Sequence, residues 1–304
     1  MPLKAELHCH NVFSNGNVGA LEPIYDCNVT ISKQLEQAHA VGLDVLFVTN
    51  HNTIDGYKQM LEYKKNHQKF DTLSVYPAEE VTTDNESHLL VYGIDHSIKS
   101  GLSLHEILDE AKKQDAVTIA PHPFSLMDAL REDSTYCDLY EVFNSSNVDV
   151  YSNLRAKKFA NEKSLHLVAG SDSHVQSTLG RSTNLIYSEN KLDSVIAAMK
   201  HRKIAIENTG YVQPKEALEH IRYKIQNSAF FIDKYTAQFY PRALGPIKLL
   251  YKLYMINPEG IFWNMFYRMS IIALRRISKK INFGGYDHRL FRERDLGTIA
   301  KMIF

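Results

Sequence analysis

Eight residues of this chain are of types that hold metal ions or move protons, and they recur in short clusters. His8 and His10 lie in ELHCHNVFSNG, His51 in VTNHNT, Glu80 in PAEEVTT, His88 in SHLLVYGID, His122 in APHPF, and Asp172 with His174 in AGSDSH. Imidazole nitrogen and carboxylate oxygen are the donors that borderline divalent cations prefer. Extended chain points residues i and i+2 to one side, roughly 6.6 Å apart, so His8 and His10 can converge on one site. Taken singly, each residue has an ordinary explanation: a surface or hydrogen-bonded histidine or, for Glu80, half of an ion pair. Together they exceed what one four-coordinate ion takes and suit two or three ions, with Glu80 as a bridge. Two ions about 3.5–4 Å apart can hold phosphoryl oxygens, generate hydroxide near neutral pH and stabilise a leaving oxygen, which is the chemistry of phosphoester hydrolysis.

The elements that must bring these residues together are legible as alternating patterns. Short apolar runs predict strands at Lys4–His8, Asp44–Thr49, Leu73–Pro77, His88–Ile94, Val117–Ala120, Leu139–Phe143 and His166–Gly170. Helical periodicity falls between them, near Ser32–Val41, Ile54–Asn66, Leu104–Gln114, Asn153–Lys163 and Leu192–His201. This alternation predicts an α/β fold with a mainly parallel sheet and helices outside it. Seven strands with one hairpin-like link between the third and fourth predict a closed or nearly closed barrel. Seven of the eight residues then sit where a strand hands over to a loop, on the rim where such barrels build their sites. His88 joins them if its strand runs back from that rim. Glu141 and Asn144 in EVFNSS also point there, as candidates to orient a ligand or a substrate hydroxyl, and Arg181 in STLGR is a candidate phosphate clamp. His105, His166 and His201 fall within helices or strand starts and read as structural.

The segments resemble the PHP (polymerase and histidinol phosphatase) superfamily of metal-dependent phosphoesterases. Its opening motif DLHxHT..SDG reads here ELHCHNVFSNG, its TDHDT reads Thr49-Asn50-His51-Asn52-Thr53, its third motif corresponds to APHPF, and its GSDxH reads Gly170-Ser171-Asp172-Ser173-His174. The match covers roughly residues 3–210. The resemblance implies a distorted seven-stranded barrel and a centre of two or three manganese, zinc or iron ions. By motif, His8, His10, Glu80 and Asp172 surround one ion, Glu80, His88 and His122 a second, and His51 with His174 a third. Asn15 stands where many relatives carry an acid or histidine, and Asn50 and Asn52 replace the acids flanking His51. A neutral amide tunes a ligand more weakly than a carboxylate, so the third position is expected to be the weakest, filled only with substrate present. Asn15 itself remains a candidate substrate contact.

The chain has 304 residues, 44% of them hydrophobic, ample for one barrel-sized domain with an appendage. Its zero net charge hides an asymmetry. Residues 1–210 hold 19 Lys and Arg against 28 Asp and Glu, a net of −9, whereas residues 211–304 hold 16 against 7, a net of +9. The expected division is therefore a barrel over residues 1–210 and a basic, aromatic-rich, mainly helical extension over residues 211–304. Within Gly245–Phe283, Pro258–Gly260 separates two helix candidates; the second is too short and polar in its apolar part to span a bilayer but could lie on one. A helix packed on the barrel with its basic end in water is the plainer alternative. Cys9, Cys27 and Cys137 are odd in number and widely spaced, as expected of reduced core residues. The start MPLKAELHCH lacks the basic-then-apolar order of a secretory signal, which places the protein in the cytoplasm, peripheral to a membrane if the extension binds one.

The expected activity is hydrolysis of a phosphate monoester by metal-bound hydroxide, with His8, His10, His51, Glu80, Asp172 and His174 at the reacting centre. The basic extension leaves open a nuclease or phosphodiesterase acting on nucleic acid, and equally a phosphate substrate on an anionic membrane surface. The asparagines leave open a barrel that binds metal without turnover. Oligomeric state is not legible.

Overall fold

The computed structural model describes residues 1–19, 22–292 and 296–303. In chain order the barrel is built from β1 (Leu3–Glu6), α1 (Ile31–Ala40), β2 (Val45–Val48), α2 (Asp55–Lys65), β3 (Ser74–Thr82), β4 (His88–Tyr92), α3 (Leu104–Lys113), β5 (Val117–Ala120), β6 (Leu139–Asn144), α4 (Tyr151–Lys163), β7 (Leu167–Gly170), β8 (Thr183–Ile186), α5 (Leu192–Lys200) and β9 (Ile204–Asn208). Nine strands replace the seven expected, in the order β7-β6-β5-β4-β3-β2-β1-β8-β9. The sheet is also less parallel than expected. Among the described residues β1–β2, β2–β3, β5–β6 and β6–β7 pair parallel, whereas β3–β4, β4–β5, β1–β8 and β8–β9 pair antiparallel.

The strand interiors explain where the chemistry sits. Alternate residues of a strand face opposite sides, and the inward set is apolar at one end and polar at the other. Ala78 leads to Glu80 on β3, and Val168 leads to Gly170 and then Asp172 beyond β7. On β4, which runs the other way, Leu90 and Tyr92 are the apolar pair and His88 the polar end, set opposite Thr82. The apolar end forms one buried core with Val195, Ile196 and Met199 of α5, which plug the barrel floor. Two further cores lie outside the sheet, one under α1 and α2 and one under α3 and α4. The open seam between the sheet's ends is closed by a side chain: Asn184 of β8 accepts from Ala169 N–H at 3.0 Å and donates to its carbonyl at 2.7 Å, replacing a strand ladder.

Beyond β9 the described chain is helical: α6 (Pro214–Asn227), α7 (Ala229–Phe239), α8 (Leu244–Ile256), α9 (Ile261–Phe283), α10 (Arg289–Arg292) and α11 (Leu296–Ile303). The chain breaks between α8 and α9 at the Pro258–Gly260 turn. The two halves of α9 differ. Its C-terminal half buries Ile277, Ser278, Ile281 and Asn282, with Ser278 donating to Asp149 at 2.6 Å and Asn282 to the Phe124 carbonyl at 3.3 Å. Its N-terminal half leaves Phe262, Met265, Phe266 and Met269 exposed. Among the described residues no helix is long and apolar enough to cross a membrane. Cys9, Cys27 and Cys137 are unpaired thiols, the first two buried.

Candidate metal centre

The structure brings all eight sequence-predicted residues to the barrel's rim. β1 ends at Glu6, so His8 and His10 are not strand residues; they flank Cys9, which makes an isolated bridge to Ser173 just after β7. That short extended segment still turns both rings inward. Glu80 stands at the middle of the group, buried, with its two oxygens facing different histidines. Its Oε2 lies 3.4 Å from His8 Nε2, 3.3 Å from His10 Nε2 and 3.4 Å from His51 Nδ1, while its Oε1 lies 3.0 Å from His88 Nδ1 and 3.1 Å from His122 Nε2. Asp172 Oδ1 completes the first set at 3.5 Å from His8 Nε2 and 3.4 Å from His10 Nε2. Donors around one ion at bond lengths of about 2.1 Å stand roughly 3.4 Å from one another, so these separations match the edges of a coordination shell.

Three imidazoles have their outward-facing nitrogens fixed from behind. His8 Nδ1 donates to Glu141 Oε1 at 2.9 Å, His10 Nδ1 to Ser14 Oγ at 3.1 Å, and His174 Nδ1 to the Asp172 carbonyl at 3.0 Å. Each therefore presents a lone pair on Nε2 toward the centre, the tautomer a metal ligand needs. Glu141 also accepts from His122 N–H at 2.6 Å and from Asn144 Nδ2 at 2.9 Å, and Asn144 reaches Asp172 Oδ2 at 3.3 Å. Glu141 and Asn144 thus orient the centre's own side chains. A Cβ at Gly170 would overlap Glu141 Oε1 and come within 2.6 Å of His8 Cβ, so glycine is what lets this brace pass. His122 and Asp172 hold positive φ, 28° and 48°, an uncommon backbone conformation maintained here by the surrounding bonds.

Two of the sequence expectations are placed elsewhere. Arg181 pairs with Glu216 of α6, which ties a rim loop to the helical layer and occupies its guanidinium. Asn15 faces away from the ring cluster: its Oδ1 accepts from Asp26 N–H at 2.7 Å and Cys27 N–H at 3.0 Å, and its Nδ2 donates to Tyr223 Oη at 3.0 Å. The acid expected near position 15 is supplied instead by Asp26, which Asn15 holds in place. Asp26 Oδ2 lies 3.0 Å from His174 Nε2 and 3.6 Å from His51 Nε2, and with His10 the three form a third donor group. Asn50 and Asn52 are spent on backbone: Asn50 accepts from Asn11 N–H at 2.8 Å and Asn52 from Thr82 N–H at 2.8 Å.

Sequence reasoning missed five residues here. Asp26 and Glu22 lie in a loop without periodicity, and Asp128 follows APHPF at no motif spacing; Asp128 stands 3.4 Å from His122 Nδ1, and Glu22 3.6 Å from His88 Nε2. His220 and Lys224 come from α6. Lys224 Nζ is 2.9 Å from Asp26 Oδ1, and His220 donates to the Asp26 carbonyl at 2.8 Å while stacking on His174. Their i, i+4 spacing put them on one helix face and was the signal available.

The electrostatics are those of a cation site. Burial works against ionised acids, yet Glu80, Asp172 and Asp26 are held well below the usual carboxylate range, by His88 and His8, by His8 and His10, and by His174 and Lys224 respectively. Burial also pulls the imidazoles down, but Asp128 and Glu80 push His122 up to about 9, and Asp26 pushes His174 up to about 9. His51 is the exception; burial outweighs its acidic neighbours and takes it down to about 4. His10 Nε2, His51 Nδ1, both nitrogens of His88, His122 Nδ1 and Asp26 Oδ2 are buried without any hydrogen-bond partner. Buried polar atoms are ordinarily paired, and so many orphans of ligand type in one place fit a set of metal donors.

Comparison with known proteins agrees with the geometry. A family model described as PHP-associated matches residues 150–204. The uncharacterised protein MJ1587 of Methanocaldococcus jannaschii is 32% identical over 165 residues, 53% of this chain and 93% of that protein. A second protein of that organism, MJ0417, is 28% identical over 52% of this chain and 65% of its own length. Among solved structures, the lesion-specific endonuclease PfuEndoQ of Pyrococcus furiosus superposes with a TM-score of 0.52 at 18% identity, covering 68% of this chain and 58% of the endonuclease. PsfC of Pseudomonas syringae PB-5123 gives 0.51 at 18% identity, covering 74% of this chain and 98% of PsfC. The chain thus spans less than two thirds of MJ0417 and of the endonuclease. It belongs to one family with MJ1587 and carries a PHP-associated segment at residues 150–204.

Proposed function

We propose that this protein is a metal-dependent phosphoesterase acting on a phosphate monoester. The observation that carries the reading is Glu80, whose two oxygens face separate sets of imidazole nitrogens, those of His8, His10 and His51 on one side and of His88 and His122 on the other. His8, His10, Glu80 and Asp172 would hold one ion, Glu80, His88 and His122 a second, and His10, Asp26, His51 and His174 a third. Divalent cations held there would supply positive charge to the phosphoryl oxygens and lower the pKa of attacking water. The chain's own part is to keep the donors aimed. Glu141, Ser14 and the Asp172 carbonyl fix the ring tautomers, and Asn144 holds Glu141 against Asp172. Lys224 keeps a positive charge beside Asp26, where it can meet a phosphate oxygen at the edge of the cluster.

Two features favour a monoester over a polymer. Every one of the eight residues is nearly enclosed, with Asp172 the most open at 15% side-chain exposure, and α6 leans over the rim through His220 and Lys224. A terminal phosphate fits such a site more readily than a continuous strand. The second reading, a phosphodiesterase on nucleic acid, draws on the +9 charge of residues 211–304 and on the fold shared with a DNA endonuclease. Turnover of p-nitrophenyl phosphate, its bis ester and a short oligonucleotide with manganese separates the two. Hydrolysis of the first alone is expected, abolished by His10→Ala and Asp172→Ala. Unchanged rates in both variants would refute the site, and preferred cleavage of the oligonucleotide would refute the monoester assignment.

A further inference from the structure

The rim does not end at the candidate metal centre. A cavity of about 240 Å³ begins at His174 and His220 and runs between α6 and α9 past Val148 and Ile221. It adjoins a second, half-open cavity of about 310 Å³ lined by α6, α7, α8 and α9, and Ile221, Tyr267 and Ser270 line both. The two differ in character. The first carries Ser146, His174, Glu216 and His220 in its wall, whereas the second is walled by aliphatic chains and aromatic rings such as Ile225, Ile247, Phe262 and Trp263. Each is near the size of a small-ligand pocket. A polar end at the candidate metal centre that continues into an apolar end describes one elongated, amphiphilic occupant.

The outside of the same helices repeats the pattern. Leu249, Leu253 and Met255 of α8 and Ile261, Met265 and Met269 of α9, which line neither cavity, are each between 42% and 80% exposed. A contiguous apolar face of this kind on a water-soluble surface marks an interaction site. Residues 240–280 also hold eight Lys and Arg against one acid, Glu259. Apolar side chains rimmed by cations suit the interface of an anionic bilayer.

We propose that the ester hydrolysed is an amphiphile, a phosphate joined to a hydrocarbon chain. It is drawn from an anionic membrane on which α8 and the first half of α9 rest. This rests on the phosphoesterase reading above and names its substrate class. The chain enters the inner cavity between α6 and α9 while the phosphate reaches the centre beside His174. Hydrolysis breaks the ester P–O bond; the oxygen of water joins phosphorus, one of its protons passes to the departing alkoxide, and the products are inorganic phosphate and a long-chain alcohol.

The test uses the full chain with manganese and two soluble esters, ethyl phosphate and octyl phosphate. Burial of methylene groups adds binding that lowers KM and raises kcat/KM, so octyl phosphate is expected to exceed ethyl phosphate roughly a hundredfold. Ile221→Trp, which narrows the junction at a partly exposed position, is expected to lower kcat/KM for octyl phosphate toward that of ethyl phosphate; an octyl advantage that survives it removes the junction from the chain's path. Equal kcat/KM for the two esters overturns the inference and leaves the phosphoesterase reading intact; hydrolysis of neither overturns that reading itself. In flotation, the protein is expected to rise with vesicles of phosphatidylcholine and phosphatidylserine, and Met265→Glu to remain below. A protein that fails to float overturns the membrane source, and if it sediments as two copies that Met265→Glu separates, the face is one of self-association.

Discussion

At the scale of single residues, the third donor group turns on Asp26. The asparagine at position 15 leads the sequence to expect a weak third position, but the structure sets a buried carboxylate 3.0 Å from His174 and lets Asn15 hold its backbone. Asp26→Asn should therefore lower the metal content by one ion per chain and leave the two positions around Glu80 filled, as read by elemental analysis after dialysis. An unchanged metal content would remove Asp26 from the ligand set. A second expectation concerns protons. Without a cation, His122 and His174, both raised to about 9, carry protons at neutral pH. A cation needs their lone pairs, so binding near pH 7 should release protons and its affinity should climb as pH rises toward 9. Calorimetric titration of manganese in buffers of different ionisation enthalpy measures the release; identical heats in all buffers would contradict it. The eight motif residues were legible because each lies at or just beyond one end of an apolar run, whereas Asp26 was not, since a loop ligand has neither periodicity nor fixed spacing.

At the scale of elements, the strands that were missed are those that close the barrel. β8 is four residues, two of them Thr183 and Asn184, and one of its two inward positions is an amide, with Ile186 the other, so alternation carries little signal there. β9 is no easier to read, for its pattern is mixed and four of its five residues are intermediate or exposed. The hairpin of β3 and β4 was legible because two apolar runs flank a short polar link, and from it followed the placement of His88 at the rim. Asn184 is completely buried, and both of its amide atoms serve the Ala169 backbone. Asn184→Ala leaves a backbone donor and acceptor unpaired in the interior, which costs about 2–5 kcal/mol. Denaturant unfolding should show that loss in the midpoint with an unchanged slope; a loss below about 1 kcal/mol would mean that the seam is closed by other contacts.

At the scale of the whole molecule, charge changes sign where the sheet ends, from −9 before residue 210 to +9 after it. A boundary there is a natural expectation, yet the helical layer does not stand apart from the barrel. Lys224 and His220 reach Asp26, Glu216 holds Arg181, Ser278 meets Asp149, and Asn282 caps the Phe124 carbonyl. The buried partners of these contacts belong to barrel loops that water would otherwise enter. Cutting the chain after Gly210 should therefore leave the two donor groups centred on Glu80, whose side chains all precede residue 210, but lower stability by roughly 3–5 kcal/mol through lost burial and unpaired polar groups. For a chain of this size that corresponds to an unfolding midpoint on the order of 10 °C lower. Thermal unfolding of the full and shortened chains in saturating manganese decides the matter. If both melt at the same temperature, residues 1–210 form an independent domain and the helices are an attachment; if the shortened chain melts lower yet keeps the metals around Glu80, the acidic barrel carries the chemistry and the basic helices complete its rim.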